Sequence, residues 1–351
     1  MRQRIKKATY CAARLLGLFH VARWLTRRGL RILCYHGVAM ADEGQFRPSV
    51  FIQLDTFRDR MAYLARKGYP VLGLDEAIRR LDRGDLPPGA TVITFDDGWH
   101  SIQRLALPVL EQHGFPATVY ATTYYVTKQT PIFRLVVQYM MWKTEAKQLD
   151  VSDLSIEAAS PIDLTDPAAR HDAMWQIITH AEKNLTEDHR VALSRQLGQR
   201  LGVDYGLVAD WRLFSLMTPD ELRDAAAEGL DIQLHTHRHV LPKDKEGLLR
   251  EISDNRAALE PLVGRPLDHF CYPDGTYSPR HFALLREAGI QSAATCDSGL
   301  NTPATERMAL HRFVDGSTIA PIEFEAEMCG FAHLLRRLRS CLLGRRERGR
   351  P

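Results

Sequence analysis

Two hydrophobic periods alternate along this chain. Short, continuous apolar runs rich in β-branched residues occupy 31–35, 90–95, 117–121, 230–234, 269–272 and 290–295. Such runs read as strands buried on both faces. Between them the apolar positions recur at helical spacing. Residues 51–67 carry Phe57, Met61 and Leu64 on one face, stop at Gly68 and lead into a short strand-like run at 70–72. Further helices are predicted at 75–83, at 102–113 before Gly114, at 246–262 and at 279–288. Thr218-Pro219-Asp220-Glu221 combines an N-cap, a proline at the first helical position and a capping-box glutamate, and that helix runs to Gly229. Strands alternating with such helices imply parallel strands joined by crossovers, as a barrel or an open sheet.

Residues 124–215 break the rhythm. The stretch is mainly helical in pattern, with no apolar strand ending in a polar cluster, and it reads as an insertion over one side of the barrel. The expected organisation is therefore a basic amphipathic N-terminal helix (1–30), a barrel built from 31–123 and 216–320, the helical insertion (124–215), and a basic C-terminal helix or tail (321–351).

Charge is distributed unevenly. The net charge is only +3, but residues 1–31 hold nine Lys/Arg and no acid, and residues 331–351 hold seven Arg and one Glu, which leaves −12 on the body. An acidic body with basic ends does not fit a nucleic-acid binder, whose positive field should cover the folded surface. Ile5, Ala8, Ala12, Leu15, Leu16, Phe19 and Ala22 fall at helical spacing among cations, which suits a helix lying on an anionic membrane as well as an ordinary helix packed on the domain. The segment is too short and polar to span a bilayer and makes a poor secretory signal. The six cysteines show no Cys-x-x-Cys spacing, so neither a disulfide framework nor a thiolate metal site is expected and a reducing compartment is favoured. The expected location is cytoplasmic, with peripheral contact at the inner face of the membrane through the basic termini.

The chemistry gathers where strands end. His36, Asp96/Asp97, His235/His239, Tyr272/Asp274 and Asp297 each follow an apolar run, and in α/β folds that rim carries the active site. Adjacent carboxylates on one loop resist joint ionisation unless a cation compensates. Three histidines within His235-Thr236-His237-Arg238-His239 supply imidazoles beside them. Two imidazoles and one carboxylate hold a divalent metal with open positions, and the second carboxylate remains available as a base. From the residues alone, His235 pairs with His239 if the segment turns helical, or with His237 if it stays extended.

These clusters resemble the polysaccharide deacetylases, the carbohydrate esterase or NodB-homology family. Thr94-Phe95-Asp96-Asp97-Gly98 is similar to its first motif, and His235-Thr236-x-x-His239 to its second. Cys34-Tyr35-His36-Gly37-Val38 resembles the strand that opens many members, and Phe270-Cys271-Tyr272-Pro273-Asp274-Gly275 the third motif. The likeness covers about 31–123 and 216–315. It implies a distorted (β/α) barrel, TIM-like but with fewer than eight regular strands. It further implies Asp97, His235 and His239 as metal ligands, Asp96 as general base, and the 272–274 turn, with Tyr272, Pro273, the Asp274 N–H and His36, on the substrate and oxyanion side. Many members carry Arg where Cys271 stands and Tyr where Asp274 stands, so this chain departs from the pattern at the residue that orients the base. The histidine acid of the last motif has its nearest counterpart in His311, and Arg312 beside it is an alternative electrostatic partner.

The expected activity is metal-dependent hydrolysis of N-acetyl groups on the amino sugars of a polysaccharide, oligosaccharide or lipid-linked glycan. Zn2+ suits the ligands best on availability, and Co2+, Ni2+, Mn2+ or Fe2+ fit the same set. Two other readings stand beside it: a carbohydrate-binding protein on a degenerate scaffold, supported by Cys271, and an O-acetyl esterase.

Overall fold

The computed structural model describes residues 2–154 and 160–342. At its centre is a curved sheet of seven parallel strands. These are β1 (Arg31–Tyr35), β2 (Thr91–Asp97), β3 (Thr118–Ala121), β4 (Asp231–Leu234), β5 (His269–Cys271), β6 (Ser292–Ala294) and β7 (Phe313–Val314). Their spatial order is β6-β5-β4-β3-β2-β1-β7. A parallel bridge between Ala294 and Leu310, just before β7, draws the two edges toward closure. The architecture is the distorted (β/α) barrel. Its central strands carry almost no polar alternation because both faces are covered: every residue of β1 is buried, as are Val92, Ile93 and Phe95 of β2.

The chain enters through α1 (Arg2–Leu15) and α2 (Leu18–Leu25). The periodicity predicts one continuous helix here, but Gly17, at φ +74°, breaks it into a hairpin. The break shifts the phase of the apolar face. Tyr10, Ala13, Phe19 and Ala22 turn inward, whereas Ile5, Leu15 and Leu16 stay exposed. Between β1 and β2 come α3 (Leu54–Arg66) and α4 (Leu74–Arg83); the strand expected at 70–72 reduces to a single Val71–Thr91 bridge. The expected helix at 102–113 starts with a π-helical segment, Ile102–Ala106, and continues as α5 (Leu107–His113). A small parallel pair, Gly37–Val38 with Phe51–Ile52, was not legible in the pattern.

Within the inserted stretch, α6 (Phe133–Lys143), α7 (Pro167–Asn184) and α8 (Glu187–Leu201) pack together around an antiparallel pair, Gln148–Leu149 with Ile162–Asp163. Its core is continuous with that of the barrel. Phe214 lies within 6.0 Å of Phe46, Phe51 and Tyr139 between ring centroids, and Phe51 in turn contacts Trp99, two residues from Asp97. Beyond it α9 (Pro219–Ala227) carries the Thr218/Glu221 capping box, α10 (Lys245–Val263) joins β4 to β5, and α11 (Arg280–Glu287) joins β5 to β6.

After β7, α12 (Pro321–Met328) and α13 (Phe331–Leu342) return to the N-terminal hairpin. Tyr10, Ala13, Phe19, Ala326, Cys329 and Ala332 form a separate small core between the two ends of the chain. The basic tail expected after Leu342 lies outside the described residues. No helix among the described residues is long and apolar enough to cross a membrane.

One half-buried imidazole ties α13 to the barrel. The Leu300 N–H donates to His333 Nδ1 at 3.3 Å, which requires that nitrogen to be unprotonated. Burial, with Arg336, Arg337, His311 and Arg31 nearby, pushes His333 down to about 4. An unfolded histidine titrates near 6.5. Between those values the unfolded chain binds the extra proton, so this contribution is lost as pH falls from about 6.5 toward about 4. Urea midpoints at pH 7.5 and pH 5.0 should therefore drop more for the natural chain than for His333→Gln; equal drops would show that His333 carries none of the acid sensitivity.

Candidate active site

Four strand ends converge on one cluster. The last residues of β2 are Asp96, pointing into the barrel, and Asp97, which turns outward at φ +72°. Past β4 the chain runs through Thr236 at φ +63° to His239 at φ +56°, and after β5 Asp274 sits at φ +55°. Left-handed backbone is costly for residues with a Cβ, and such strain persists only where the surroundings enforce it. Among the described residues, four of the seven non-glycine positions with positive φ lie in these three loops.

The loops bring together the donors that sequence reasoning nominated as a metal set. Asp97 Oδ1 lies 3.4 Å from His235 Nε2 and 3.3 Å from His239 Nε2. The three ligand atoms fall within 4.8 Å of one another. His237, the other candidate, is drawn away: its Nδ1 is 2.8 Å from Thr123 Oγ1, and its carbonyl accepts from the Thr123 and Tyr124 N–H groups. Only the i, i+4 pair faces Asp97.

The donor set fits a cation. His235 Nδ1 lies 2.8 Å from the Cys271 carbonyl, which only accepts, so Nδ1 carries a proton and Nε2 is left to face Asp97. Nε2 is therefore the nitrogen turned toward Asp97, and as a metal ligand it would bind there without a proton. Burial would raise Asp97, but the His235 and His239 imidazoles outweigh it and hold the carboxyl well below the usual range. The remaining oxygen, Oδ2, accepts from the Trp99 indole N–H at 2.8 Å.

Asp96 is held by a different residue from the one the motif pattern suggests. Arg312, fully buried, donates from Nη1 to Asp96 Oδ1 and from Nη2 to Oδ2, both at 2.7 Å. Its other donors go to the Thr295 carbonyl (2.8 Å), Thr94 Oγ1 (3.2 Å) and Cys271 Sγ (3.0 Å). Burial alone would raise Asp96, but the charge and fork of Arg312, with His36 and His235 adding to them, hold its carboxyl far below the ordinary value. Cys271 therefore stands beside the guanidinium instead of supplying it. Cys34 Sγ and Cys271 Sγ both lie 3.5 Å from Asp96 Oδ2, and Cys296 Sγ is 3.8 Å from Arg312 Nη2, so three thiols line the pair.

The other nominated residues separate. His36 Nε2 is 3.9 Å from Asp96 Oδ2 with its ring partly exposed, so it faces the cluster. Tyr272 turns its hydroxyl to the Met308 carbonyl at 2.9 Å, Pro273 is buried, and Asp274 is exposed on the rim. His311 departs from its expected place. Its ring packs where a Cβ on Gly299 would fall and neighbours His333, whereas Arg312, the next residue, enters the barrel. Consecutive residues of an extended segment point to opposite faces, so the two cannot both reach the site. Asp297 accepts from the Tyr277 hydroxyl at 2.9 Å.

Sequence reasoning missed Trp99, Thr123 and Asn255. Asn255, buried on α10, accepts from the His235 N–H at 2.9 Å and donates to the Ala121 carbonyl and Thr123 Oγ1. It pins β4, β3 and the histidine loop together from the crossover helix. The only signal for it was a polar residue on the inward face of an amphipathic helix.

Residues 83–293 match the family model described as polysaccharide deacetylase. A curated relative, poly-beta-1,6-N-acetyl-D-glucosamine N-deacetylase of Escherichia coli (strain K12), is 31% identical over 91 residues, which is 25% of this chain and 13% of that protein. The chain thus spans about an eighth of this relative's length. Among solved structures, the Streptococcus pyogenes deacetylase PplD in complex with acetate superposes with a TM-score of 0.56 at 15% identity, covering 86% of this chain and 98% of its own. IcaB from Ammonifex degensii gives 0.54 at 19%, covering 86% and 97%. These likenesses show a shared fold. With its family model spanning more than half of its length, the chain belongs to the polysaccharide deacetylase family.

Proposed function

We propose that this protein removes N-acetyl groups from amino-sugar residues of a glycan by metal-dependent hydrolysis. The observation that carries the reading is a buried Asp96, locked by the Arg312 fork, beside the Asp97/His235/His239 donor set. Those three residues would hold the metal, zinc or a similar divalent ion, which when bound would supply a Lewis acid able to acidify water and polarise an acyl carbonyl.

The protein's own groups do the rest. Asp96, whose carboxyl Arg312 favours in the charged form, is placed to accept a proton from the attacking water; both of its oxygens accept from Arg312, and Oδ2 is the one that His36 faces. A carboxylate held this low is a weak base, so its merit is position and charge more than basicity. The departing amine needs a proton. His36, the imidazole beside Asp96 Oδ2, takes the acid role first considered for His311. The turn at 273–275, with Asp274 in left-handed backbone, is the candidate oxyanion donor through its main chain. Substrate would approach where His239 is half-buried and Asp274 exposed.

The argument for a degenerate binding scaffold rested on Cys271, and it loses that support because Arg312 supplies the guanidinium. The relative named above acts on a poly-N-acetylglucosamine, which makes that class the first substrate to test.

Acetate release should be measured across N-acetylated and O-acetylated glycans, with chelation and zinc add-back. Release from N-acetylated glycans should vanish on chelation and return with metal; release that survives metal removal overturns the mechanism, and release from esters alone replaces the amide reading. Asp96→Asn should keep its metal content while kcat falls by about 10²- to 10⁴-fold, the usual worth of acid–base catalysis. Arg312→Lys keeps the charge but loses the two-pronged fork. Its kcat/KM should fall on the order of tenfold or more with metal content unchanged, since an unmatched buried acceptor costs about 1–3 kcal/mol. An Arg312→Lys enzyme with natural kcat/KM would remove Arg312 from the catalytic arrangement.

A further inference from the structure

The two ends of the chain leave a surface that the catalytic reading does not use. On α2, Leu18, Val21 and Leu25 form an exposed stripe at i, i+3 and i+7, with Trp24 62% exposed beside it. Leu15 and Leu16, 85% and 75% exposed, crown the bend at Gly17. Leu338 and Leu342 continue the apolar surface on α13, which packs against α2. The opposite faces of the same helices are already satisfied by Tyr10, Ala13, Phe19 and Ala332 in their own small core. The outward leucines and Trp24 are therefore surplus to folding.

Cations frame this surface. From α12, Glu323, Glu325 and Glu327 pair with Lys6, Arg14 and Arg336. Arg4, Lys7, Arg28, Arg337 and Arg339 make no ion pair among the described residues. Arg27 stacks 4.7 Å over the Trp24 ring and donates to the Trp24 carbonyl, presenting an amphipathic aromatic with a positive neighbour. Short helices with exposed Leu and Trp among Lys and Arg match an anionic lipid surface, with the apolar side chains entering the acyl boundary and the cations meeting headgroups. A second copy fits poorly, because a two-fold contact would oppose the same cations.

We propose that the α1–α2 hairpin and α13 dock this protein peripherally on an anionic bilayer, with the catalytic rim directed away from it. The orientation follows from the fold. The Gly89 N–H, just before β2, donates to the Arg27 carbonyl at 2.8 Å, so the Trp24 end of α2 lies where the strands begin. Asp97 lies at the far end of β2, about 20 Å away at 3.3 Å per residue. Resting on the deacetylase reading, this placement directs the enzyme to sugars held away from the bilayer, in the body of a polymer, rather than to a sugar attached next to a lipid.

The test uses the full chain with vesicles of neutral phosphatidylcholine, or of phosphatidylcholine with 30% phosphatidylglycerol. Flotation should recover the protein with the anionic vesicles only, and less of it in 0.5 M salt. Leu18→Glu with Val21→Glu, both exposed positions far from the active site, should cut partition at least tenfold while acetate release from a soluble glycan stays unchanged. Brominated lipids should quench tryptophan emission of the natural chain, and the quenching should be lost in Trp24→Phe. Absence of flotation, or equal flotation of the double variant, overturns the docking, as does a dimer in sedimentation velocity that the double variant dissolves. Vesicle binding without acetate release would leave the docking intact and refute the deacetylase reading; acetate release without binding does the reverse.

Discussion

A guanidinium and a carboxylate without solvent govern the arrangement of this protein. Arg312 and Asp96 are both buried, and taking such charges out of water costs several kcal/mol each. The cost is met because every direction around the guanidinium is matched, by both Asp96 oxygens, Thr94, Thr295 and Cys271. Removing either partner would strand the other and destabilise by about 3–5 kcal/mol. The pair also spans the barrel. Asp96 ends β2 and Arg312 sits in the segment whose Leu310 bridges Ala294 and whose β7 pairs with β1. Closing the sheet and aiming the proposed base are thus one event, and a barrel left open at β7 would leave Asp96 without its partner.

Strain and support are divided in a consistent way around the rim. Asp97, Thr236, His239 and Asp274 hold left-handed backbone, which few side chains adopt without help. The help comes from residues with no chemical role. Asn255 fastens the histidine loop to β3, Trp99 fixes the free oxygen of Asp97, and Glu251 accepts from the Arg238 N–H between the two ligands. Trp99 in turn packs on Phe51, which touches Phe214 of the inserted stretch. The insertion is therefore mechanically continuous with one candidate ligand, although none of its described side chains joins the donor cluster.

The barrel was legible because buried parallel strands write themselves as short apolar runs closed by glycine and polar residues. The donor cluster was legible because its members lie within five residues of one another or on adjacent positions, where local spacing limits geometry. What stayed hidden depends on which face a residue takes in three dimensions. His311 and Arg312 are neighbours in the chain, and nothing local says which turns inward; the register of the 310–314 segment against β6 and β1 decides it. Asn255 was hidden for the same reason, since a single asparagine on a helix has no spacing to compare. At the N-terminus the periodicity was real, but one left-handed glycine reset its phase, so that Leu15 and Leu16 face outward while Tyr10 and Ala13 turn in.

The exchange between positions 271 and 312 follows from volume. Arg312 Nη2 lies 3.0 Å from Cys271 Sγ, with Cys34 and Cys296 closing the same space, so a long side chain at 271 would occupy the volume that the guanidinium now fills. A small, polarisable residue at 271 is what lets Arg312 lie flat against both oxygens of Asp96. The two positions are one constraint: a charge must sit behind the base, and whichever strand delivers it obliges the other to be small. The departure of Cys271 from the familiar motif then leaves Asp96 with a guanidinium all the same, because its electrostatic demand is met from the opposite side of the closing sheet.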